Sequence, residues 1–301
     1  MKIYACIPSL NEVATIESVT QFVDKGLQMF CSKYALSAVV KILNIDSSSD
    51  DETVRKFNET NTHFSKQSII LNKPRGKGKN LLEFMRIAYE DEVDYCVTVD
   101  ADIRSGNPQW INDLLTPLLE NQADFVTPLY KRSRFEGSST NHFAYPVTLA
   151  LTGVRVRQPI AGDFGFNFAL LEVVNKLDIP EGTQYYGIDV FLTLATLMNG
   201  LHHKQIDLGL KLHNPSHTKL EYMFPQIAEV ELSMLRHLDI KKISLPAKEN
   251  FVTNITESKV FLHKDVAKKM HRDAVFYLSS ADIFYWGWVP DDLIKKLKKD
   301  T

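Results

Sequence analysis

Tyr95-Cys96-Val97-Thr98-Val99-Asp100-Ala101-Asp102 is a short β-branched run that ends in two carboxylates one residue apart. The run reads as a strand, and Ser105-Gly106-Asn107-Pro108 behind it marks a turn. Were the strand to continue, Asp100 and Asp102 would share a face. Two carboxylates at the carboxyl end of a buried strand are costly unless something compensates them. A hard divalent cation that carries a phosphorylated ligand is one compensator. Mg²⁺ or Mn²⁺ is commonly held by one or two carboxylates plus substrate phosphates. A solvated turn also accounts for any single Asp-x-Asp, so the rest of the chain decides between the two.

Outward from that stretch, strands and helices alternate. Strands are expected over residues 2–7, 39–45, 68–71 and 123–129, with helices after each. In the first helix Ile16, Val19, Phe22, Val23 and Leu27 are spaced for one buried face. Alternation of this kind implies right-handed βαβ units and an α/β domain with a mostly parallel sheet. Ligands of such sheets sit at the carboxyl ends of the strands. Asn11 and Glu12, Asp46 to Asp51, Arg75 to Lys79, and Asp100 with Asp102 all follow strands, so they are expected to meet at one sheet edge. Each piece has a plainer use. The loop 46–51 suits a helix cap, and Arg75-Gly76-Lys77-Gly78-Lys79 suits a solvated loop that lacks the Walker pattern. Its glycines would still let backbone N–H groups approach a phosphate.

Past residue 129 the alternation weakens. A helix is expected over 141–153, and 158–166 is a turn-rich loop leading into an apolar strand. Asp189 opens an apolar helix over 190–198, a placement that also suits the helix dipole. A strand over 203–212 and helices over 220–238 and 260–278 complete the reading.

Bulk properties exclude several classes. In 301 residues the net charge is −2, which leaves no overall basic field for nucleic acid. Hydrophobic content of 44% is ordinary for a globular protein. No apolar run approaches the ~20 residues of a membrane helix. The first run is too short for a signal peptide. Cys6, Cys31 and Cys96 carry no CxxC spacing, which favours a reducing compartment, and the expected location is cytoplasmic.

Together, Pro8-Ser9-Leu10-Asn11-Glu12, Asp46-Ser47-Ser48-Ser49-Asp50, Arg75-Gly76-Lys77-Gly78-Lys79-Asn80 and Asp100-Ala101-Asp102 resemble the GT-A-fold nucleotide-sugar glycosyltransferases. The second half adds Gln158 to Asp163, Tyr186-Gly187-Ile188-Asp189 and Leu208 to His213. It narrows the resemblance to the retaining mannosylglycerate and glucosyl-3-phosphoglycerate synthases. The resemblance covers residues 3 to 240. It implies a Rossmann-like GT-A domain over 1–240, with a donor half (1–129) and an acceptor half (130–240); residues 241–301 lie beyond it and are expected, from the helix at 260–278, to form a helical C-terminal extension packed on it.

It also implies an activity: metal-dependent transfer of a hexose from UDP-glucose or GDP-mannose to glycerate or 3-phosphoglycerate, by same-face internal return. Pro8, Leu10, Asn11 and Glu12 would hold base and ribose, with Ser47, Lys79, Asp100 and Ala101 nearby. Asp102 and His213 would bind the Mg²⁺ or Mn²⁺, with Asp100 and His217 as further candidates. Gly162 and Asp163 would line the sugar and acceptor pocket, and Asp189 would contact the sugar or the acceptor hydroxyl. Asp189, Asp102 and Lys79 form the implied catalytic set. Lys131 and Arg132, with Arg134, suit an anionic acceptor. A homodimer through the C-terminal helices is a further expectation. Rival readings are a transferase for lipid-linked or polysaccharide acceptors, and a non-catalytic nucleotide-sugar-binding scaffold. A sugar-nucleotide pyrophosphorylase is disfavoured, because Pro8 to Glu12 contains no glycine.

Overall fold

The computed structural model describes residues 1–131, 137–213 and 219–234. The expected extension over 241–301, the helix over 260–278, Arg132, Arg134 and His217 lie outside the described residues.

Among the described residues, seven strands form one sheet: β1 (Lys2–Ser9), β2 (Val39–Asp46), β3 (Ser65–Ile70), β4 (Tyr95–Thr98), β5 (Phe125–Lys131), β6 (Phe164–Asn167) and β7 (His203–Leu210). Their order is β3-β2-β1-β4-β6-β5-β7. β6 alone runs antiparallel to its neighbours β4 and β5. β1, β2, β3 and β4 pair in parallel, as do β5 and β7. The sheet is therefore mostly parallel, as the strand–helix alternation requires.

Among the described residues, eight α-helices flank it: α1 (Ile16–Lys33), α2 (Thr53–Glu59), α3 (Lys77–Glu90), α4 (Pro108–Leu119), α5 (Tyr145–Thr152), α6 (Phe168–Val174), α7 (Ile188–Met198) and α8 (Leu220–Met234). α1 buries Ile16, Val19, Val23, Leu27 and Phe30, the helical spacing read in the sequence. Phe22 is only partly buried and meets Trp110 of α4 edge-on. β3 begins three residues earlier than expected, because Ser65 pairs with Lys41 of β2. The helix expected over 141–153 opens as a π-helical turn at Thr140–Ala144 and continues as α5. Gly153, at φ 70°, stops it.

Topology places the site. The chain leaves β1 towards β2 and β3 on one side, and returns to β4 on the other. The carboxyl ends of β1 and β4 therefore flank a switch point, where ligands of doubly wound sheets bind. Because β6 runs backwards, the residues that precede it, Gly162 and Asp163, lie at this same edge.

One buried group behind the edge carries a measurable signature. Glu231 of α8 is fully buried, and Thr148 of α5 donates a 3.2 Å hydrogen bond to it. Its Oε2 has no hydrogen-bond partner. Burial pushes its carboxyl up to about 8. The native state thus keeps a proton that the unfolded chain loses above the usual Glu range, so stability falls as pH rises from about 4.5 to 8. Glu231→Gln should remove this slope. The variant should gain stability over the parent by on the order of 3 kcal/mol at pH 8 and nothing at pH 4. Denaturant melts at both pH values check it.

Candidate active site

A cleft of about 480 Å³ opens at the switch point. That volume suits a small-molecule ligand. Pro8, Ser9, Leu10 and Glu12 after β1, Ser47 after β2, and Asp100, Ala101 and Asp102 after β4 line it. Gly162 before β6, Asp189 of α7 and His213 after β7 join them. Of the residues named from the sequence, these converge.

The others sit apart. Asn11 has φ 57°, and its side chain accepts from the backbone N–H of Asp50 while its own N–H donates to Ser49, both at 2.8 Å. It ties the β1 loop to the β2 loop and does not line the cleft. Asp163 is fully buried beneath the floor. Lys131 is exposed at the end of β5 and lines no part of the cleft. Lys79 lies 5.8 Å from the Tyr185 ring centre, also outside the lining. Lys77 takes the place at the cleft that the sequence reading gave to Lys79. α3 begins at Lys77, and residues two apart on a helix point ~200° apart, so only one of the two lysines faces the cleft.

The floor of the cleft is a charge network. Lys77 Nζ lies 2.9 Å from Asp100 and 3.3 Å from Asp189. Lys211 Nζ lies 3.1 Å from Asp100, 2.7 Å from Asp163 and 2.9 Å from the Ala161 carbonyl. Tyr130 donates its hydroxyl to Asp163, whose other oxygen accepts the Asp100 N–H at 2.8 Å. Burial works against Asp100, but Lys77 and Lys211 outweigh it and hold that carboxyl well below the usual carboxylate range. Burial also works against the Lys77 ammonium, and Asp100 and Asp189 overcome it, keeping Lys77 charged. Asp189 is 4% exposed, and the Lys77 ammonium is the charge that faces its Oδ1. Burial raises its pKa despite Lys77. Burial, with Asp102 adding to it, pushes Glu12 up to about 7.

The glycines have a different use from the one expected. Gly78 is buried and its N–H donates to the Tyr185 carbonyl at 2.9 Å, so it cannot also serve a phosphate. A Cβ at Gly78 would collide with the Thr183 carbonyl, and one at Gly76 with the Gln184 carbonyl. These glycines press the start of α3 onto the turn at 183–185, and that contact aims Lys77. Gly78→Ala should cost about 1–3 kcal/mol by overpacking. It should also raise the donor KM, because Lys77 moves with the turn. An unchanged melting temperature and KM would contradict this. Gly162, at φ 89°, lies against Asp100, where a Cβ would run into the carboxylate.

The donor set suits a divalent cation shared with a ligand. Among the described residues, no group of three or more His, Cys, Asp and Glu side chains is placed to hold a metal. Asp102 and His213 offer one carboxylate and one imidazole to the cleft. A cation held there would draw its remaining ligands from phosphates and water, the usual arrangement for Mg²⁺. Asp100 is committed to two lysines, which makes it a poor ligand.

Lys77 and Lys211 are the residues that sequence reasoning missed. Lys77 is the lysine enclosed by two glycines, and Lys211 is a lone charge in the apolar Leu208-Gly209-Leu210-Lys211-Leu212 run. Both signals are visible once a buried acidic cluster is expected at the strand ends. The opposite wall carries Tyr186, Leu220, Tyr222 and Met223, with Thr140 and Lys219 nearby. The rings of Tyr186 and Tyr222 are 6.0 Å apart.

Glycosyl transferase family 2 matches residues 4–175. No curated protein sequence is significantly similar to the chain. Among solved structures, glucosyl-3-phosphoglycerate synthase of Mycobacterium tuberculosis in complex with Mn²⁺, UDP and phosphoglyceric acid matches with a TM-score of 0.61. It is 24% identical over 78% of each chain. The same enzyme with phosphoglyceric acid gives 0.63 at 24% identity, over 78% of this chain and 80% of that one. A structure described only as that of a mycobacterial protein gives 0.62 at 23% identity, over 78% of this chain and 75% of that one. The shared fold is GT-A.

Proposed function

The chain belongs to glycosyl transferase family 2, and we propose that it moves a hexose from UDP-glucose or GDP-mannose to a small anionic acceptor such as glycerate or 3-phosphoglycerate. The reading includes retention at the anomeric carbon and a divalent cation, Mg²⁺ or Mn²⁺. The observation that carries it is the meeting of Asp102, His213, Lys77 and Asp189 in one cleft at the switch point. The M. tuberculosis enzyme, which has been crystallised with Mn²⁺, UDP-glucose and phosphoglyceric acid, supports the substrate class.

Departure of the nucleoside diphosphate builds negative charge on its phosphates. Lys77, kept charged and 20% exposed at the cleft, meets that charge where it develops. A cation bound by Asp102 and His213 would neutralise part of the same charge. Asp189, paired with Lys77 through Oδ1 at 3.3 Å, places a carboxylate in the cleft where the anomeric carbon would develop positive character. Pro8, Leu10, Glu12 and Ser47 form the nucleoside end of the cleft. Gly162 separates Asp100 from the sugar. Lys219 at the cleft adds a positive charge that an anionic acceptor could use.

The test is product formation. Purified protein is incubated with UDP-glucose or GDP-mannose, Mn²⁺, and glycerate or 3-phosphoglycerate. Nucleoside diphosphate release that depends on acceptor, with an α-linked product by NMR, is the expected outcome. Release that no small acid stimulates would overturn the acceptor class.

The exposed aromatic wall favours a second reading. Tyr222 is 50% exposed at the cleft, which suits a larger acceptor with an apolar face. Among the described residues no helix is long and apolar enough to cross a membrane. Co-sedimentation with lipid vesicles separates this reading from the first.

A further inference from the structure

Asp102 and His213 come from loops 111 residues apart, so something must hold the two loops in register. Hydrogen bonds and an ion pair join the Asp100–Ser105 turn to the 210–213 segment. Lys211 reaches Asp100 at 3.1 Å. The Arg104 N–H donates to the Leu212 carbonyl at 2.8 Å. The Leu212 N–H donates to the Ser105 hydroxyl at 2.8 Å, and that hydroxyl donates onward to the Leu210 carbonyl, also at 2.8 Å. Ser105 thus uses one oxygen to bridge two backbone groups of the segment that delivers His213. It is three residues past Asp102, half-buried, and outside the cleft lining.

We propose that Ser105 is a positioning residue for cation binding, fixing the His213 loop to the Asp102 turn without touching cation or substrate. The inference rests on the cation reading given above. Groups that orient metal ligands from outside the coordination sphere typically contribute 10- to 100-fold to metal affinity. The hydroxyl is the only part of Ser105 that makes the bridge. Ser105→Ala therefore removes the bridge with little loss of packing, whereas Ser105→Thr retains it.

The experiment is a Mn²⁺ titration of the full chain at a fixed UDP concentration, read as the metal concentration giving half of the maximal thermal shift. Ser105→Ala should need about 10- to 100-fold more Mn²⁺. Its ligand-free melting temperature should stay close to the parent's, and Ser105→Thr should restore the parent titration. A cycle with His213→Ala separates positioning from a general structural role. In the His213→Ala background, Ser105→Ala should change the titration no further. A parent-like titration of Ser105→Ala, or additive losses in the cycle, would overturn the proposal while leaving the cation reading intact. Absence of any Mn²⁺-dependent shift in the parent would overturn that reading and this proposal together.

Discussion

Lys77→Ala is expected to lower kcat/KM by about 10²- to 10³-fold, the scale of removing one preorganised charge from a developing anion. Lys77 is the lysine of its loop that lines the cleft, and it is held charged between Asp100 and Asp189. Lys79→Ala, two residues on, should leave kcat/KM little changed, because Lys79 lies over the Tyr185 ring and does not line the cleft itself. Steady-state kinetics of the two variants side by side is a sharp comparison: both lysines sit in the first turn of α3, and Lys77 is the one that lines the cleft and pairs with Asp100 and Asp189. Equal losses in the two variants would mean that the loop acts through its net charge. A larger loss in Lys79→Ala would mean that the cleft uses the other face of the helix start.

Lys211→Met is expected to destabilise the fold by about 3–5 kcal/mol. It strips the partner from buried Asp163 and one of two partners from Asp100. Lys211 is 5% exposed and Asp163 fully buried, so solvent screens the pair little. The double variant Lys211→Met/Asp163→Asn should recover much of the loss, because no unpaired charge then remains between β6 and β7. Denaturant unfolding of parent, single variants and double variant closes the cycle. A double variant less stable than Lys211→Met alone would mean that Asp163 is needed for Tyr130 and the Asp100 N–H rather than for the lysine.

Much of this arrangement is legible in the residues. The Tyr95 to Asp102 run gives the strand, the turn and the acidic edge, because β-branched residues, carboxylates and Gly-Pro turn signals are local properties. The alternation gives the parallel sheet for the same reason. The reversal of β6 is not local: Phe164–Asn167 is a four-residue strand, Phe-Gly-Phe-Asn, and its direction depends on pairing with β4 and β5. The choice between Lys77 and Lys79 turns on where a helix begins, a boundary that packing against Thr183 to Tyr185 decides. Asn11 reads like a ligand-binding polar residue, yet its left-handed backbone commits its side chain to the neighbouring loop. Lys131 follows a strand on the ligand side, but β5 carries it outward past the cleft.

The most direct test of the central claim is thermal-shift binding of UDP-, GDP- and ADP-sugars, each with and without Mn²⁺, on the parent and on Asp102→Ala. A ligand at 100 times its Kd adds about 2.7 kcal/mol by mass action. The account predicts a shift for one nucleotide sugar, dependent on Mn²⁺ and lost in Asp102→Ala. No shift with any nucleotide sugar, or an undiminished shift in Asp102→Ala, would contradict it.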